Sequence, residues 1–419
     1  MHLYIPSYST LRRECRTMAM GLIIVGAALG MYMNFYFGNI GWNNILMMIA
    51  LLLLPNWKNL AKFRLPFANR IFIFIIIFQI ICITYMVVGG TIDPSGLIYM
   101  LFTVFMLIGV MSQNNGDMPL SKVILYTWLF GWICLLFCVT CVVTGVYYVD
   151  YVKGHSGTGY ESILVDLTMA GNIYTFIITC LFYLNSSGYR RTLAIIGIII
   201  GLIAIITLGK RTPLLITFIV FAWYVSKFHT VSRKVRKRTF LLVLGVVLLI
   251  VGFIQIPGFS DQFLLVWNRS IDGISDMLNG TTTTGLAAVE RYKRREWAIS
   301  YIDNEFSTFN YIFGAGYMTH WLDAPLLQAY LDMGIIGFCT YLYFVIVKPL
   351  KVSFSKLSYN HIVFWGCTLN FYNIFSSLNS GTPYGHIRWI PLIVLILTIH
   401  HIRIKTKNHK QLLPCLNSV

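Results

Sequence analysis

Three arginines at helical spacing form the strongest candidate for binding chemistry. Arg291, Arg294 and Arg295 lie three and four residues apart, so they share one face of a helix predicted over 287–304. A guanidinium group is planar and matches two oxygens of a phosphate at once. This face is therefore a candidate site for a phosphate-bearing ligand. The alternative is a solvated helix face, balanced by Glu290 and Glu296.

A second cationic pair lies in a short turn between two apolar runs, in the sequence Gly-Lys-Arg-Thr-Pro at 209–213. Pro213 suits the first turn of the following helix, and Thr212 can cap it. The amides of such a helix start favour an anion when a cation such as Arg211 stands beside them. The alternative is that these cations only extend their charged ends to the membrane surface, which explains Lys210 well but Arg211 less well. We assign both cations to the candidate phosphate site.

A histidine and a carboxylate follow the Gly-Ala-Gly bend at 314–316 and precede an apolar run. His320 and Asp323 stand near the arginines in sequence, where such a pair can accept the proton of a hydroxyl. A lone histidine is more often structural. The pair is nevertheless the candidate catalytic site, because a histidine and a carboxylate stand together at the start of a predicted span.

The apolar run after this pair carries its own polar residues. Gln328 and Asp332 are four apart, so they share a helix face and are predicted to line a cavity. Gly334 and Gly337 follow, and small residues of this kind allow close helix packing.

About twelve apolar runs position these residues. The chain is 57% hydrophobic and 11% charged, whereas soluble domains carry roughly 25% charged residues. A spanning helix needs roughly 20 mostly apolar residues. We therefore predict an all-α polytopic membrane protein that forms one transmembrane domain over 1–419. The predicted spans are 18–37, 40–54, 71–88, 97–111, 123–148, 164–184, 192–208, 213–228, 239–256, 324–347, 360–378 and 388–402.

The distribution of cations predicts the orientation. Most of the 32 Lys and Arg residues fall in the two tails and in every second loop, and short cationic loops stay in the cytoplasm. Both termini are therefore predicted to be cytoplasmic. The segment 257–323 is the exception. It is predicted to be a large outer loop with short helices between spans nine and ten, and it still contains the arginine cluster.

Composition also argues against other classes of protein. The net charge of +17 indicates orientation and contact with anionic membrane lipid rather than nucleic-acid binding. Cys134, Cys138 and Cys141 have helical spacing within one span, which is typical of packing residues. We find no His/Cys/carboxylate constellation with metal-ligand spacing, and we predict neither a metal site nor a cofactor.

Taken in order along the chain, these motifs resemble the O-antigen polymerase family and its sister, the O-antigen ligase family. An arginine stands in the outer turn at 209–213. Arg291, Arg295 and Trp297 form an Arg-x-x-x-Arg-x-Trp helix that leads to Ile-Phe-Gly-Ala-Gly-Tyr. A His/Asp element then precedes Leu-Gln-Ala-Tyr-Leu-Asp-Met-Gly-Ile-Ile-Gly at 327–337.

The resemblance implies a GT-C-like, metal-independent glycosyltransferase of the bacterial inner membrane with its active site facing the periplasm. Such a polymerase transfers a growing glycan from undecaprenyl diphosphate to the terminal sugar of another lipid-linked repeat unit. A ligase transfers it to the lipid A core. Ligases commonly carry a His-Asn pair, whereas Trp321 follows His320 here, which favours the polymerase. The family further suggests a chain-length regulator as a partner.

In that mechanism the arginines hold the diphosphate and neutralise the charge that develops on it as it leaves. His320 or Asp323 would be the base that deprotonates the acceptor hydroxyl.

Two other classes fit part of the pattern. A secondary transporter or a lipid-linked oligosaccharide flippase can also have twelve spans, but such carriers commonly show two similar halves and intramembrane charges. Here the halves are unlike, and Asp166 and Asp332 are the only well-placed carboxylates within spans. A membrane acyltransferase would need a histidine open to cytosolic acyl-CoA, and nothing around His361 supports a thioester site.

Overall fold

The computed structural model describes residues 7–38, 40–90, 92–114, 116–143, 167–207, 211–228, 245, 255, 286–379 and 381–416, without the side chains of some residues at helix ends. Within these ranges every regular element is helical. The helices are α1 (Tyr8–Phe37), α2 (Trp42–Leu53), α3 (Trp57–Leu60), α4 (Arg70–Val88), α5 (Pro94–Met111), α6 (Leu120–Val143), α7 (Leu167–Tyr183), α8 (Tyr189–Thr207), α9 (Arg211–Phe228), α10 (Leu286–Glu305), α11 (Thr308–Phe313), α12 (Pro325–Ser353), α13 (His361–Asn379) and α14 (His386–Leu416).

Six of the described helices are long and apolar enough to cross a membrane: Tyr8–Asn34, Arg70–Val88, Pro94–Met111, Leu120–Thr140, Tyr189–Ile206 and Pro325–Ser353. Three shorter apolar helices accompany them: Trp42–Leu53, Ala170–Tyr183 and Thr212–Lys227. These lengths and compositions fit a multi-pass membrane protein. The predicted ninth span, apart from residues 245 and 255, lies outside the described residues, as does 257–285 of the predicted outer loop.

The first two predicted spans differ from the observed helices. α2 has 12 residues, so it is about 18 Å long and too short to cross a hydrocarbon core of about 30 Å. α1 begins at Tyr8 rather than at residue 18, because the Ser7 hydroxyl accepts a hydrogen bond from the Thr10 amide at 3.3 Å and caps it. The arginines at 12, 13 and 16 therefore lie on α1 and do not precede it.

Hydrogen bonds between helices hold the centre of the bundle together. The Tyr174 hydroxyl of α7 donates to the Thr368 carbonyl of α13 at 2.5 Å. The Trp365 indole of α13 donates in return to the Thr179 hydroxyl at 3.1 Å. Polar groups at membrane depth have no water to bond with, so such pairs join neighbouring helices.

The hairpin of α4 and α5 defines the two ends of the bundle. Asp93 precedes α5, and its Oδ2 accepts a hydrogen bond from the Tyr317 hydroxyl at 3.4 Å. Ser112 follows α5, and its Oγ accepts one from the Asn56 amide at 2.8 Å. The 18 residues of α5 separate these contacts by about 27 Å, close to the thickness of a bilayer core. We call the end with Asp93 and Tyr317 the site end and the end with Asn56 and Ser112 the basic end.

Candidate functional site

The site end is built around a break in α12. Gly334 has non-helical dihedral angles, φ 61° and ψ −159°. At this break the Leu331 carbonyl accepts a hydrogen bond from the Ala315 amide at 2.8 Å, and the Asp332 carbonyl accepts one from the Gly316 amide at 3.1 Å. Backbone groups released by a helix break must find other partners at membrane depth. The segment that precedes α12 provides them by folding back on the helix.

Two glycines allow this close approach. A Cβ atom on Gly314 would lie 2.2 Å from the Asp332 carbonyl carbon, and one on Gly334 would lie 2.4 Å from that of Ile312. Both glycines also have positive φ, which L-residues rarely adopt. Gly334 thus allows close packing, as predicted, although its contact is with the end of the short helix α11 rather than with another spanning helix.

The side chain of Asp332 also binds the segment that precedes α12. It is fully buried, and its carboxylate accepts four hydrogen bonds. The donors are the amides of Met318 (3.1 Å) and Thr319 (3.2 Å), Gln328 Nε2 (2.7 Å) and the Tyr384 hydroxyl (2.6 Å). A buried charge requires this degree of compensation. The carboxylate therefore joins α12 to the loop before it and to the turn before α14.

Gln328 completes this attachment. Its Oε1 accepts the Leu322 amide at 3.0 Å, while its Nε2 bonds Asp332 as described above. Gln328 and Asp332 share a helix face as predicted, but both side chains are fully buried. In this structure both are therefore closed off from solvent, and the prediction that they line a cavity remains a prediction.

The arginine helix α10 packs against this assembly. It was predicted over 287–304 and is observed over Leu286–Glu305. Its apolar side contributes Ala298 and Ile302 to a buried cluster with Leu322, Ala324 and Leu331. Ala298 and Ile302 are seven and eleven residues after Arg291, so they lie on the same helix face, and their packing fixes the position of that arginine beside the start of α12.

Arg291 and Arg295 attach α10 to two other segments. Arg291 Nε donates to Asp323 Oδ2 at 2.8 Å, and Asp323 Oδ1 accepts the Gly381 amide. Arg295 Nη2 donates to the Leu378 carbonyl at 3.3 Å. Burial lowers the pKa of Arg295, and the neighbouring charge of Arg291 lowers it further. Arg291 is exposed and Arg295 is partly buried, and two neighbouring guanidinium groups of this kind can bind an anion.

Asp323 and His320 are not hydrogen-bonded to each other in the described part of the chain. Both carboxylate oxygens of Asp323 already accept bonds, from Arg291 and Gly381. His320 instead packs on the Trp297 ring, with centroids 4.3 Å apart, and its side chain is exposed. The two predicted catalytic residues therefore lie in one loop but have separate partners.

The surroundings of His320 favour its neutral form. Partial burial lowers the pKa of His320, and the positive charge of Arg294 lowers it further. A neutral imidazole has a free nitrogen that can accept a proton. Of the two predicted catalytic side chains, His320 is thus the one with an available basic atom.

Two residues at this end were not predicted. Arg388 donates through Nη1 to the Ser376 hydroxyl, and its Nη2 lies 2.8 Å from where a Cβ of Gly381 would stand. Arg388 begins a predicted span at its outer end, so the reasoning applied to Arg211 would have selected it. Tyr384 carried no local signal, because its bond to Asp332 joins residues far apart in sequence.

The remaining predicted residues are less completely described. Lys210 lies outside the described residues, and so does the side chain of Arg211. The backbone of Arg211 begins α9, so Pro213 lies in the first turn as predicted, whereas Thr212 lies inside the helix and does not precede it. Within the described residues no group of three or more His, Cys, Asp or Glu side chains could hold a metal ion.

The described site thus places three guanidinium groups, of Arg291, Arg295 and Arg388, around the turn between α13 and α14. The His320 imidazole packs on Trp297 of the helix that carries two of them. Such an arrangement can hold an anion and accept a proton beside it. Comparison with known proteins gave no matching family model and no matching curated protein.

Proposed function

We propose that this chain is a metal-independent membrane glycosyltransferase that polymerises lipid-linked oligosaccharide repeat units. The observation that supports this most directly is the contact of Arg291 with Asp323, because it brings an arginine-rich helix onto the site end of the bundle. The motif resemblance to O-antigen polymerases supports the choice of substrate. The chain would then act at the periplasmic face of a bacterial inner membrane, in a GT-C-like fold of about twelve spans.

The proposed reaction transfers a glycan from undecaprenyl diphosphate to a hydroxyl of another lipid-linked unit. The bond between the anomeric carbon and the diphosphate oxygen breaks, and a bond to the acceptor oxygen forms. Arg291 and Arg295, joined by Arg211, would hold the diphosphate and stabilise the negative charge that it gains. Arg294 and Lys210 would add to the positive field that attracts it.

His320 is the better candidate for the base. The acceptor hydroxyl loses its proton as the new bond forms, and a neutral imidazole can accept that proton. Asp323 would act as a positioning residue, because its two oxygens hold Arg291 and the Gly381 amide. Arg388 is a further candidate for contact with the diphosphate, since its guanidinium adjoins the same turn.

A carrier of lipid-linked oligosaccharide is the second candidate. Broken helices with buried polar groups at the break are typical of secondary transporters, and α12 has such a break beside the buried Asp332. The carboxylate already has four hydrogen-bond donors. It would have to release several of them to bind an ion, so we favour the transferase.

The test uses the purified chain in liposomes with undecaprenyl-diphosphate-linked repeat units, without added metal or nucleotide sugar. We expect a ladder of longer lipid-linked glycans on a gel, whether or not a proton gradient is imposed across the liposome membrane. Transfer that occurs only when lipid A core is supplied would instead indicate a ligase. No transfer with either acceptor, together with gradient-dependent movement of the lipid-linked unit across the bilayer, would contradict the proposal and indicate a carrier. A chain-length regulator would be recognised by a change in ladder length when it is added.

A further inference from the structure

A second cationic surface lies at the basic end, far from the candidate active site. A cavity of about 380 Å³ opens there between the start of α1, α3 and the loop after α5. Its lining includes Arg12, Arg13, Arg16, Lys58, Asn56 and Asp117. Four cations and one carboxylate give this lining a net positive charge. The glycan-transfer proposal uses none of these residues.

Asp117, the one carboxylate in the lining, does not neutralise the four cations. Asp117 Oδ2 accepts Nη1 of the buried Arg16 at 3.0 Å and Nδ2 of Asn56 at 2.9 Å. The ion pairs of the described residues do not include the other three cations, Arg12, Arg13 and Lys58. Arg12 lies 4.7 Å from the centre of the Tyr8 ring. The cavity therefore offers three cations that form no ion pair in the described part of the chain, although the charge of Arg13 also acts on the neighbouring Glu14 carboxylate.

Asn56, which lines the cavity, also carries a buried hydrogen-bond acceptor. Asn56 is 5% exposed, and its Oδ1 has no hydrogen-bond partner in the structure. A carboxylate only accepts hydrogen bonds, so the contact with Asp117 fixes the amide with Nδ2 toward that carboxylate. A buried polar atom without a partner is costly. A ligand suited to this cavity would thus combine anionic oxygens with a hydroxyl that can donate to Asn56.

The position of the cavity indicates a lipid as the source of that ligand. It lies about 27 Å along α5 from Asp93, which is close to the thickness of the hydrocarbon core that separates the two headgroup layers. Trp57 and Leu11 are each 51% exposed near it, and Tyr8 is 68% exposed. Aromatic residues of this kind favour the membrane interface, and basic pockets between spanning helices bind anionic headgroups.

We propose that the cavity binds the headgroup of an anionic glycerophospholipid, with its phosphodiester between Arg12, Arg13 and Lys58 and a glycerol hydroxyl on Asn56 Oδ1. Phosphatidylglycerol has both groups. Bound there, the lipid would join α1 to the segments on either side of the α4–α5 hairpin. The proposal is independent of glycan transfer, because it concerns the opposite end of the bundle.

The test measures lipid retained by the purified full chain in native mass spectrometry, with phosphatidylglycerol, phosphatidic acid or phosphatidylcholine added. The triple variant R12Q/R13Q/K58Q is compared with K62Q/R64Q/R190Q, which removes the same charge from exposed positions outside the cavity. We expect the wild type and the control to bind phosphatidylglycerol, and the cavity variant to bind it about a hundredfold more weakly. Phosphatidic acid, whose headgroup lacks the glycerol hydroxyls, should bind more weakly than phosphatidylglycerol.

Equal loss in both triple variants, or no loss in either, would overturn the proposal, because the cavity would then act only as part of a general cationic surface. Binding of inorganic phosphate or glycerol 3-phosphate without binding of phosphatidylglycerol would also overturn it and would indicate a soluble anion. Thermal midpoints measured without lipid check that both variants are folded. A cavity variant that does not fold is replaced by R12Q/K58Q, for which reduced lipid binding is again expected.

Discussion

At the residue scale, Asp323 and Asp332 have different hydrogen-bond partners, and we infer different roles for them. Asp332 is fully buried and accepts four hydrogen bonds, so it stabilises the conformation of the backbone around it. Asp323 lies nearer the surface and holds Arg291 and the Gly381 amide. In the proposed mechanism the proton acceptor is therefore His320, which packs on Trp297 and has no carboxylate partner among the described contacts.

The decrease in transfer rate at low pH should reflect the protonation of His320. Its pKa is lowered by burial and by Arg294, so the neutral, basic form persists below the ordinary value of about 6.5. The rate of glycan transfer is expected to decrease at a lower pH than an imidazole with the ordinary pKa would give. Arg294→Gln removes one cause of the lowered pKa and should move this decrease to higher pH.

The matched control is Lys293→Gln, which removes one charge from an exposed neighbour on the same helix. The pH at which the transfer rate decreases should stay close to that of the wild type. The measurement is the initial transfer rate between pH 4.5 and 8. Identical profiles for all three proteins would mean that His320 is not the base.

Asp332→Asn should destabilise the protein. The asparagine amide would place a donor among the donors that now bond the carboxylate, at a cost of about 1–3 kcal/mol in the free energy of unfolding. Asp303→Asn makes the same chemical change at an exposed position on α10 and should change stability by less than about 0.5 kcal/mol. Unfolding titrations in denaturing detergent compare the two. Equal stabilities would show that the four hydrogen bonds do not hold the loop.

At the scale of elements, the described helices follow from local sequence, while their breaks and contacts do not. The arginine helix was predicted to within one residue at each end, because its polar and apolar residues repeat with helical spacing. The break in α12 was not predicted, because a glycine within an apolar run is equally compatible with a straight helix. Deciding between the two requires the loop at 314–319, whose contacts with the helix depend on tertiary structure.

The break itself is testable. Gly334→Ala would put a Cβ 2.4 Å from the Ile312 carbonyl carbon and would need a backbone conformation that is essentially restricted to glycine. We expect a loss of at least about 2 kcal/mol of stability and a large loss of transfer. Gly26→Ala is the control, since its Cβ would meet only Leu22 atoms at 3.7 Å in the middle of α1.

Thermal midpoints of the two alanine variants provide the comparison. The Gly26 variant should match or exceed the wild type, because alanine is favoured over glycine within a helix. If the Gly334 variant were as stable as the wild type, the kinked conformation of α12 would not be the folded state.

At the scale of the whole molecule, the charge pattern and the described packing agree on two distinct ends. The arginines of the first turns, Lys58 and Asp117 meet at the basic end, and the predicted outer segment meets Asp93 at the site end. Which side of a membrane each end faces follows from the cationic loops and stays a prediction. The bond between Tyr384 and Asp332 could not be predicted, because it joins distant segments without a shared period.

Orientation is measured by labelling single introduced cysteines in intact cells with a membrane-impermeant maleimide. Thr308→Cys, exposed at the start of α11, should be labelled from outside, whereas Phe63→Cys, 96% exposed beyond α3, should be labelled only after lysis. The parent protein gives the background from native cysteines. The reverse pattern would put the candidate site in the cytoplasm and would be incompatible with transfer from periplasmic donors.

The most direct measurement of the central claim is the ladder assay on Arg291→Ala beside Lys293→Ala, both on α10. Loss of a charge that stabilises the leaving diphosphate is expected to reduce transfer by about a hundredfold or more. Removal of the exposed Lys293 charge should leave transfer near the wild-type rate. A folded Arg291→Ala protein with a wild-type ladder would contradict the account, since its arginine site would then have no part in the reaction.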